Sequence, residues 1–279
     1  MTNENSFVAT LRTYIASERF TLPVFNPISL RVQQELVKKE PNFRTVEKLI
    51  RADQSLSSNI VNIANSSLYR GLLPVSTVKA AIVRLGISEV ARIVFTDLNR
   101  KVFTCRDAQI DAIMKKLWQH SLGCAFAAAL LSQRLDFGVM QHEAFSAGLF
   151  HDIGKLLILK VLAEKKRKSK GLVVSEELLL GAMDLLHTEQ GDLLLQQIKM
   201  PEIFAVIARD HHLEQYDRDN YLLVLVRMAN HICHAMGIGL SHDPAIALLR
   251  QPEALQLHLT HSELENIEKF LKTTAGLFD

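Results

Sequence analysis

The sequence predicts an all-α protein, and three observations predict it. Apolar residues recur at spacings of three and four in segment after segment, no stretch sustains two-residue alternation, and Gly, Pro and Asn fall where helices should break. A chain of 279 residues can bury a sizeable core as one large domain or two smaller ones. At 48% apolar and 22% charged residues it reads as globular, which excludes wholesale disorder.

From the N-terminus, Asn3, Glu4 and Asn5 stand where a signal peptide needs a positive and then an apolar segment, so no export is expected. Pro27 after Asn26 opens a helix with the stripe Val32, Leu36 and Val37. Beyond Pro41-Asn42 come the stripes Val46, Leu49, Ile50 and Ile60, Ile63, Ala64. Gly71 to Pro74 breaks the pattern, Ser76 precedes the run Val78 to Leu85, and Gly86 and Ser88 precede Val90 to Phe95. Thr104 to Ala108 is read as a boundary between an N-terminal helical lobe, 1–105, and a helical core, 106–279. A long helix then runs to about Leu135, ahead of Gly138. Gly171, Pro201 and Pro252 mark later breaks, and Thr260-His-Ser-Glu263 has the capping-box form before the stripe Leu264, Ile267 and Leu271.

Charge and length exclude several functions. With 32 Lys and Arg against 30 Asp and Glu, the net charge of +2 sets up no global field, so nucleic acid is not expected as a partner. The run Glu164 to Lys170 reads as a solvated helix end. Apolar stretches such as Gly123 to Leu131 and Tyr221 to Val226 fall short of the roughly 20 residues that span a bilayer. No membrane partner and a cytoplasmic location are therefore expected. Cys105, Cys124 and Cys233 form no CxxC pair and sit in apolar helical patterns, as buried thiols of a reducing compartment do.

The informative side chains are histidines. On the long helix, Ile113, Leu117, His120, Cys124 and Ala127 share one face, so His120 points inward. His187 lies in line with Met183, Gly191 and Leu194, and Gly191 would let another helix approach closely. His211 and His212 end a short helix begun near Pro201, and at least one of them must face the core. His151-Asp152 lies in Ala147-Gly-Leu-Phe-His-Asp-Ile-Gly-Lys-Leu156; as adjacent helical residues they can reach one ion only in a groove between helices, which Gly148 and Gly154 would permit. One inward histidine is usually a hydrogen-bonded core residue. Several together, with a carboxylate, are most economically satisfied by a shared metal ion or by an anion.

Two sets of segments carry a family resemblance. The first is Leu22-Pro-Val24, Ile50-Arg-Ala-Asp-Gln-Ser-Leu56, Ile63-Ala-Asn-Ser-Ser-Leu-Tyr69 and Ala80-Ala-Ile-Val-Arg-Leu-Gly86. The second is Leu117-Trp-Gln-His-Ser121, His151-Asp-Ile-Gly-Lys155, Leu186-His-Thr-Glu-Gln-Gly191, Asp210-His-His212 and Met228-Ala-Asn-His231. Over nearly its whole length the chain resembles the HDOD branch of the HD superfamily. The resemblance implies an N-terminal helical lobe packed on an HD-like five-helix core. It places His120, His151 and Asp152 at metal positions, puts Asn230 where the late metal-binding Asp is expected, and likens His187, His211 and His212 to the second-ion histidines of the HD-GYP phosphodiesterases.

The resemblance also implies chemistry. One or two divalent ions (Fe, Zn, Mn or Ni) would activate a water for attack on phosphorus, with Asp152 and Lys155 in catalytic roles and Lys155 on a phosphoryl oxygen. Two departures weigh against turnover, because Asn230 is neutral and Lys116 stands where several two-metal members carry Glu; the GYP segment is also absent. The expectation is an HDOD-type signal-transduction protein with an altered HD site, binding a metal or ligand without efficient turnover. Its partners would be a signalling protein or a nucleotide ligand. The alternative is a metal-dependent phosphohydrolase acting on a nucleotide or cyclic dinucleotide.

Overall fold

The computed structural model describes residues 2–16, 25–38, 40–69, 71–133, 141–169 and 173–274. The sequence features at Leu22-Pro-Val24, Leu135, Gly138, Lys170 and Gly171 lie outside them. Among the described residues the chain is helical without strands, as the periodicity requires. It divides into two compact units, one formed by 24–102 and the other by 1–23 with 103–279.

The smaller unit holds α2 (Pro27–Leu36), α3 (Phe43–Arg51), α4 (Gln54–Ala64), α5 (Val78–Leu85) and α6 (Ile87–Asn99). Side chains cap four of the five: Asn26, Asn42, Asp53 and Thr77 each accept from a first-turn backbone N–H. Thr77 rather than Ser76 caps α5. Ser88 does not start α6, which begins directly after Gly86, whose φ of 78° breaks the chain there. The core joins Val32, Leu36, Val46, Ile50, Leu56, Ile60, Val90 and Val94. Asn65, in the segment Ile63 to Tyr69, donates to Val75 O at 2.8 Å and accepts from Val75 N at 2.9 Å, and Arg84 donates to Ala64 O at 3.2 Å. The resemblance-bearing segments of this unit thus pin a loop and close a helix end.

The larger unit includes α1 (Thr2–Ala16), α7 (Ala108–Ser132), α8 (Gln141–Phe150), α9 (Ile153–Lys168), α10 (Glu176–Gln197), α11 (Glu202–Asp210), α12 (Tyr221–Met236), α13 (Pro252–Gln256) and α14 (His261–Thr274). Helix α1 packs on α9 and α10 through buried Leu11 and an Arg12–Glu189 ion pair at 2.9 Å. It therefore groups with the larger unit instead of with the lobe expected to run from 1 to 105. Helix α7 packs against α8 and α12, and α10 against α9 and α11, which brings five helix ends or faces to one interior point. Helix α14 is capped as expected, with Thr260 N donating to Glu263 at 2.9 Å, and buries Leu264, Ile267 and Leu271.

Candidate metal centre

His120 lies midway along α7 on the face read from the sequence, and Ile113, Leu117, Cys124 and Ala127 are buried with it. His151 and Asp152 are not helical neighbours. They form the turn between α8 and α9: His151 N donates to Ala147 O at 3.1 Å, closing α8, and Lys155 N donates to Asp152 O at 2.9 Å, opening α9. A turn aims both side chains inward where a continuous helix would splay them. His187 comes from α10 and His211 from the C-terminus of α11.

Glycines let these helices close up. A Cβ on Gly148 would meet the Cys124 carbonyl oxygen at 2.6 Å, drawing α8 onto α7. One on Gly154 would strike the His187 carbonyl oxygen and stand 2.7 Å from Gly191 N, so α9 and α10 cross backbone to backbone. Gly191 also leaves Ala208 of α11 room, as its place in line with His187 suggested.

Asp152 is the hub. Its Oδ2 lies 3.4 Å from His120 Nε2, 3.5 Å from His151 Nε2 and 2.8 Å from Lys155 Nζ. Its Oδ1 lies 3.5 Å from both His187 Nε2 and His211 Nε2. Exposure of these four imidazoles and the carboxylate is between 0 and 3%. Every ring is held from behind by a main-chain carbonyl on Nδ1: Ile238 O at 3.1 Å for His120, Gly148 O at 2.7 Å for His151, Met183 O at 2.9 Å for His187 and Ala208 O at 3.0 Å for His211.

That second contact fixes the chemistry. A carbonyl only accepts, so the proton of each neutral ring sits on Nδ1 and each Nε2 turns a lone pair toward Asp152. Burial pushes the imidazoles of His120 and His151 down to about 3 and that of His211 down to about 4, against the opposing pull of the Asp152 charge. Burial lowers His187 as well. For Asp152, burial alone would raise the carboxyl, but opposing influences led by the Lys155 charge outweigh it and hold the group well below the usual carboxylate range. The result is four lone pairs facing an anion. His151, His187 and His211 Nε2, together with Asp152 Oδ1, have no hydrogen-bond partner.

A cation between them resolves the repulsion, and the spacing fits one. Ligand atoms about 2.0 to 2.3 Å from a tetrahedral ion stand roughly 3.3 to 3.8 Å apart. The nitrogen–oxygen separations of 3.4 to 3.5 Å fall in that range, beyond the ~2.7 to 3.2 Å of a good N–H···O bond. Two groups could hold an ion, His120 with His151 and Asp152, and Asp152 with His187, His211 and His212.

The remaining residues are placed as follows. His211 is the inward member of its pair. His212 is exposed, with its ring 5.1 Å from that of His187 and 4.1 Å from that of His211. Asn230 is buried on α12 with Oδ1 unpartnered, one turn before His234, whose ring stacks on His120 at 5.4 Å. Lys155 turns inward to Asp152 rather than lying free at a helix end. Lys116 is exposed on α7, where water screens its charge, so the cation beside the carboxylate is Lys155. Sequence reasoning missed the Arg227 clamp, which donates to His211 O at 2.7 Å and Leu213 O at 2.9 Å and pairs with fully buried Glu253 at 2.6 Å. An arginine inside the apolar pattern of α12 was its one signal.

With this geometry in place, comparison with known proteins identifies the family. The family model described as the HDOD domain matches residues 22–214. The chain belongs to the HDOD family. The solved structure of an HDOD domain protein from Geobacter sulfurreducens superposes with a TM-score of 0.70 at 21% identity, covering 98% of this chain and 96% of that one. A protein from Shewanella amazonensis SB2B, provisionally described as a metal-dependent phosphohydrolase, gives a TM-score of 0.70 at 18% identity with both chains covered completely. At these identities the likeness establishes the fold. The uncharacterized protein YuxH of Bacillus subtilis (strain 168) is 38% identical over 71 residues, which is 24% of this HDOD chain and only 17% of YuxH.

Proposed function

We propose that this HDOD protein is a signal-transduction component whose buried histidines and Asp152 hold a divalent ion as a regulatory element, without efficient turnover. The observation that carries the reading is the convergence of four fixed imidazole lone pairs on one carboxylate that already faces a lysine. His120, His151 and Asp152 would hold one ion, and Asp152, His187, His211 and His212 a second.

The donor set speaks against hard-cation hydrolysis. Asp152 is the only carboxylate in these ligand groups, and Lys155 offsets its charge. Neutral imidazoles suit zinc, nickel or ferrous iron better than manganese. When bound, such an ion can acidify a water and polarise a phosphoryl oxygen. The chain's own residues define the setting: buried His151, His187 and His211 keep bulk water from Asp152, Lys155 holds its oxygen, and exposed His212 marks where a nucleotide or a protein partner would meet the site. A cytoplasmic setting belongs to the same proposal; no described helix is long and apolar enough to cross a membrane.

A second reading, a phosphohydrolase acting on a nucleotide or cyclic dinucleotide, is favoured by the sharing of Asp152 between two groups that could seat two ions and by the description given to the Shewanella protein. Elemental analysis of protein purified without chelator, beside a phosphodiesterase assay with added manganese or iron, separates the two. Bound metal with no turnover supports the regulatory reading. Turnover that Asp152→Ala abolishes replaces it with the enzymatic one.

A further inference from the structure

Two cysteines lie beside the metal centre and take no part in it. Cys124, one turn after His120 on α7, and Cys233 on α12 are free thiols with 0% exposure. Cys124 Sγ stands 3.6 Å from His120 Nε2, and the two sulfurs with a ring nitrogen of His120 all lie within 4.8 Å of one another. A nitrogen and a sulfur bound to one tetrahedral ion, at about 2.0 and 2.3 Å from it, stand roughly 3.5 Å apart. Gly123 makes room for the second sulfur, since a Cβ there would sit 3.0 Å from Cys233 Sγ.

His120 is locked in place between the two groups. Its Nδ1 is tied to Ile238 O, its ring stacks on His234, and Gly239, at φ 114°, brings the main chain against its Cβ. Only Nε2 is left to bind, and it faces both Asp152 Oδ2 at 3.4 Å and Cys124 Sγ at 3.6 Å.

We propose that His120, Cys124 and Cys233 form a separate, softer ion position that competes with the Asp152 centre for His120. One lone pair serves one ion, so a thiophilic cation on the sulfur side withdraws His120 from Asp152, and an ion held by His120, His151 and Asp152 withdraws it from the sulfurs. Binding on the sulfur side displaces two thiol protons to solvent and leaves two thiolate ligands. The occupant is a soft or borderline cation of the zinc or cuprous class, not magnesium or manganese. The sulfur ligands are not used by the regulatory reading, so binding on the sulfur side stands or fails by itself, whereas the competition for His120 rests on that reading.

Cobalt(II) is the probe. Reduced, chelator-stripped full-length protein titrated with cobalt is expected to develop a thiolate-to-cobalt charge-transfer absorption. The absorption should disappear in the double variant Cys124→Ala, Cys233→Ala, with folding checked by circular dichroism. In Asp152→Asn it should persist and gain intensity, because His120 is released to the sulfur side, whereas failure of the Asp152 centre alone would leave it unchanged in the wild type. Cadmium NMR of the wild-type protein gives the same answer without any variant, through a sulfur-ligated shift. Cobalt uptake without the absorption, no uptake at all, an absorption that survives in the double variant, or a cadmium shift typical of oxygen and nitrogen ligands alone overturns the proposal.

Discussion

The helical unit of residues 24–102 and the unit carrying the histidines both bury polar side chains, but they treat them in opposite ways. In the first, Asn99 accepts from Asn26 N at 3.0 Å and donates to Ser29, Gln33 donates to Ala91 O at 3.3 Å, and Glu35 accepts from Asn42 N at 3.0 Å while pairing with Lys38 at 2.6 Å. Each buried group has its partner inside the protein, which is what a structural network needs. In the second, three imidazole nitrogens and a carboxylate oxygen converge with no hydrogen bond between them. Burying such groups unsatisfied costs about 1 to 3 kcal/mol each. Rings pinned from behind, three of them with the front nitrogen unmatched, are what the proposed ion site requires. The comparison teaches that hydrogen-bond satisfaction, not burial, picks out which buried histidines are candidates for binding.

The comparison breaks most completely at Asp152. Asp152→Ala removes the hub and strands Lys155 against the imidazoles. Metal content by elemental analysis is expected to fall to no more than the ion of the sulfur position, and urea unfolding should show a loss of about 3 to 5 kcal/mol, the range for a buried pair deprived of one partner. A smaller break comes at the helix crossing. Gly154→Ala drives a methyl into the His187 carbonyl, so overpacking should cost about 1 to 3 kcal/mol in urea unfolding and weaken metal binding in equilibrium dialysis by parting α9 from α10.

Acid should distinguish the units. His120 and His151 sit at about 3 against an ordinary 6.5. Between those values the unfolded chain takes up protons that the folded chain refuses, so stability falls as pH falls. Chelator-stripped protein is therefore expected to lose stability progressively from about pH 6.5 downward, read by the fluorescence of Trp118, the single tryptophan, which lies on α7. Glu35, held below its ordinary 4.5 by the Lys38 hydrogen bond, gives the smaller unit no such loss until pH drops below 4.5. Bound metal should move the onset to lower pH.

A control in the satisfied unit sharpens the contrast. Asn99→Ala leaves Asn26 N and Ser29 without their partner and should cost about 1 to 3 kcal/mol while metal content stays unchanged. The smallest effect is expected at Asn230→Asp, which adds a carboxylate on α12: zinc affinity by calorimetry should rise, and an unchanged affinity would remove Asn230 from the ligand set.

Much of this was legible in the sequence, because periodicity reports which face of a helix is buried. His120 and His187 point inward as their stripes require, and Gly148, Gly154 and Gly191 mark the close approaches. What escaped depends on distance through space. Spacing alone could not say that His211 turns in while His212 turns out, since both end the same short helix. Nor could it foresee that Lys155 folds back onto Asp152, that Cys124 and Cys233 meet across α7 and α12, or that α1 leaves its sequence neighbours to pack on α9 and α10. The register of Lys116, one turn before His120, reads as a repelling charge, yet register does not tell a pocket from solvent, and Lys116 is exposed.

The most direct test is the melting temperature of chelator-stripped protein with and without added zinc, for the wild type and for the His187→Ala, His211→Ala double variant. An ion seated among the unmatched nitrogens stabilises the folded state in proportion to RT ln(1 + [L]/Kd), so zinc at 100 times Kd should add about 2.7 kcal/mol to the wild type and clearly less to the variant. A wild-type melting temperature that zinc leaves unmoved would contradict the account, because it would mean that the unpartnered nitrogens of His151, His187 and His211 face Asp152 without serving an ion.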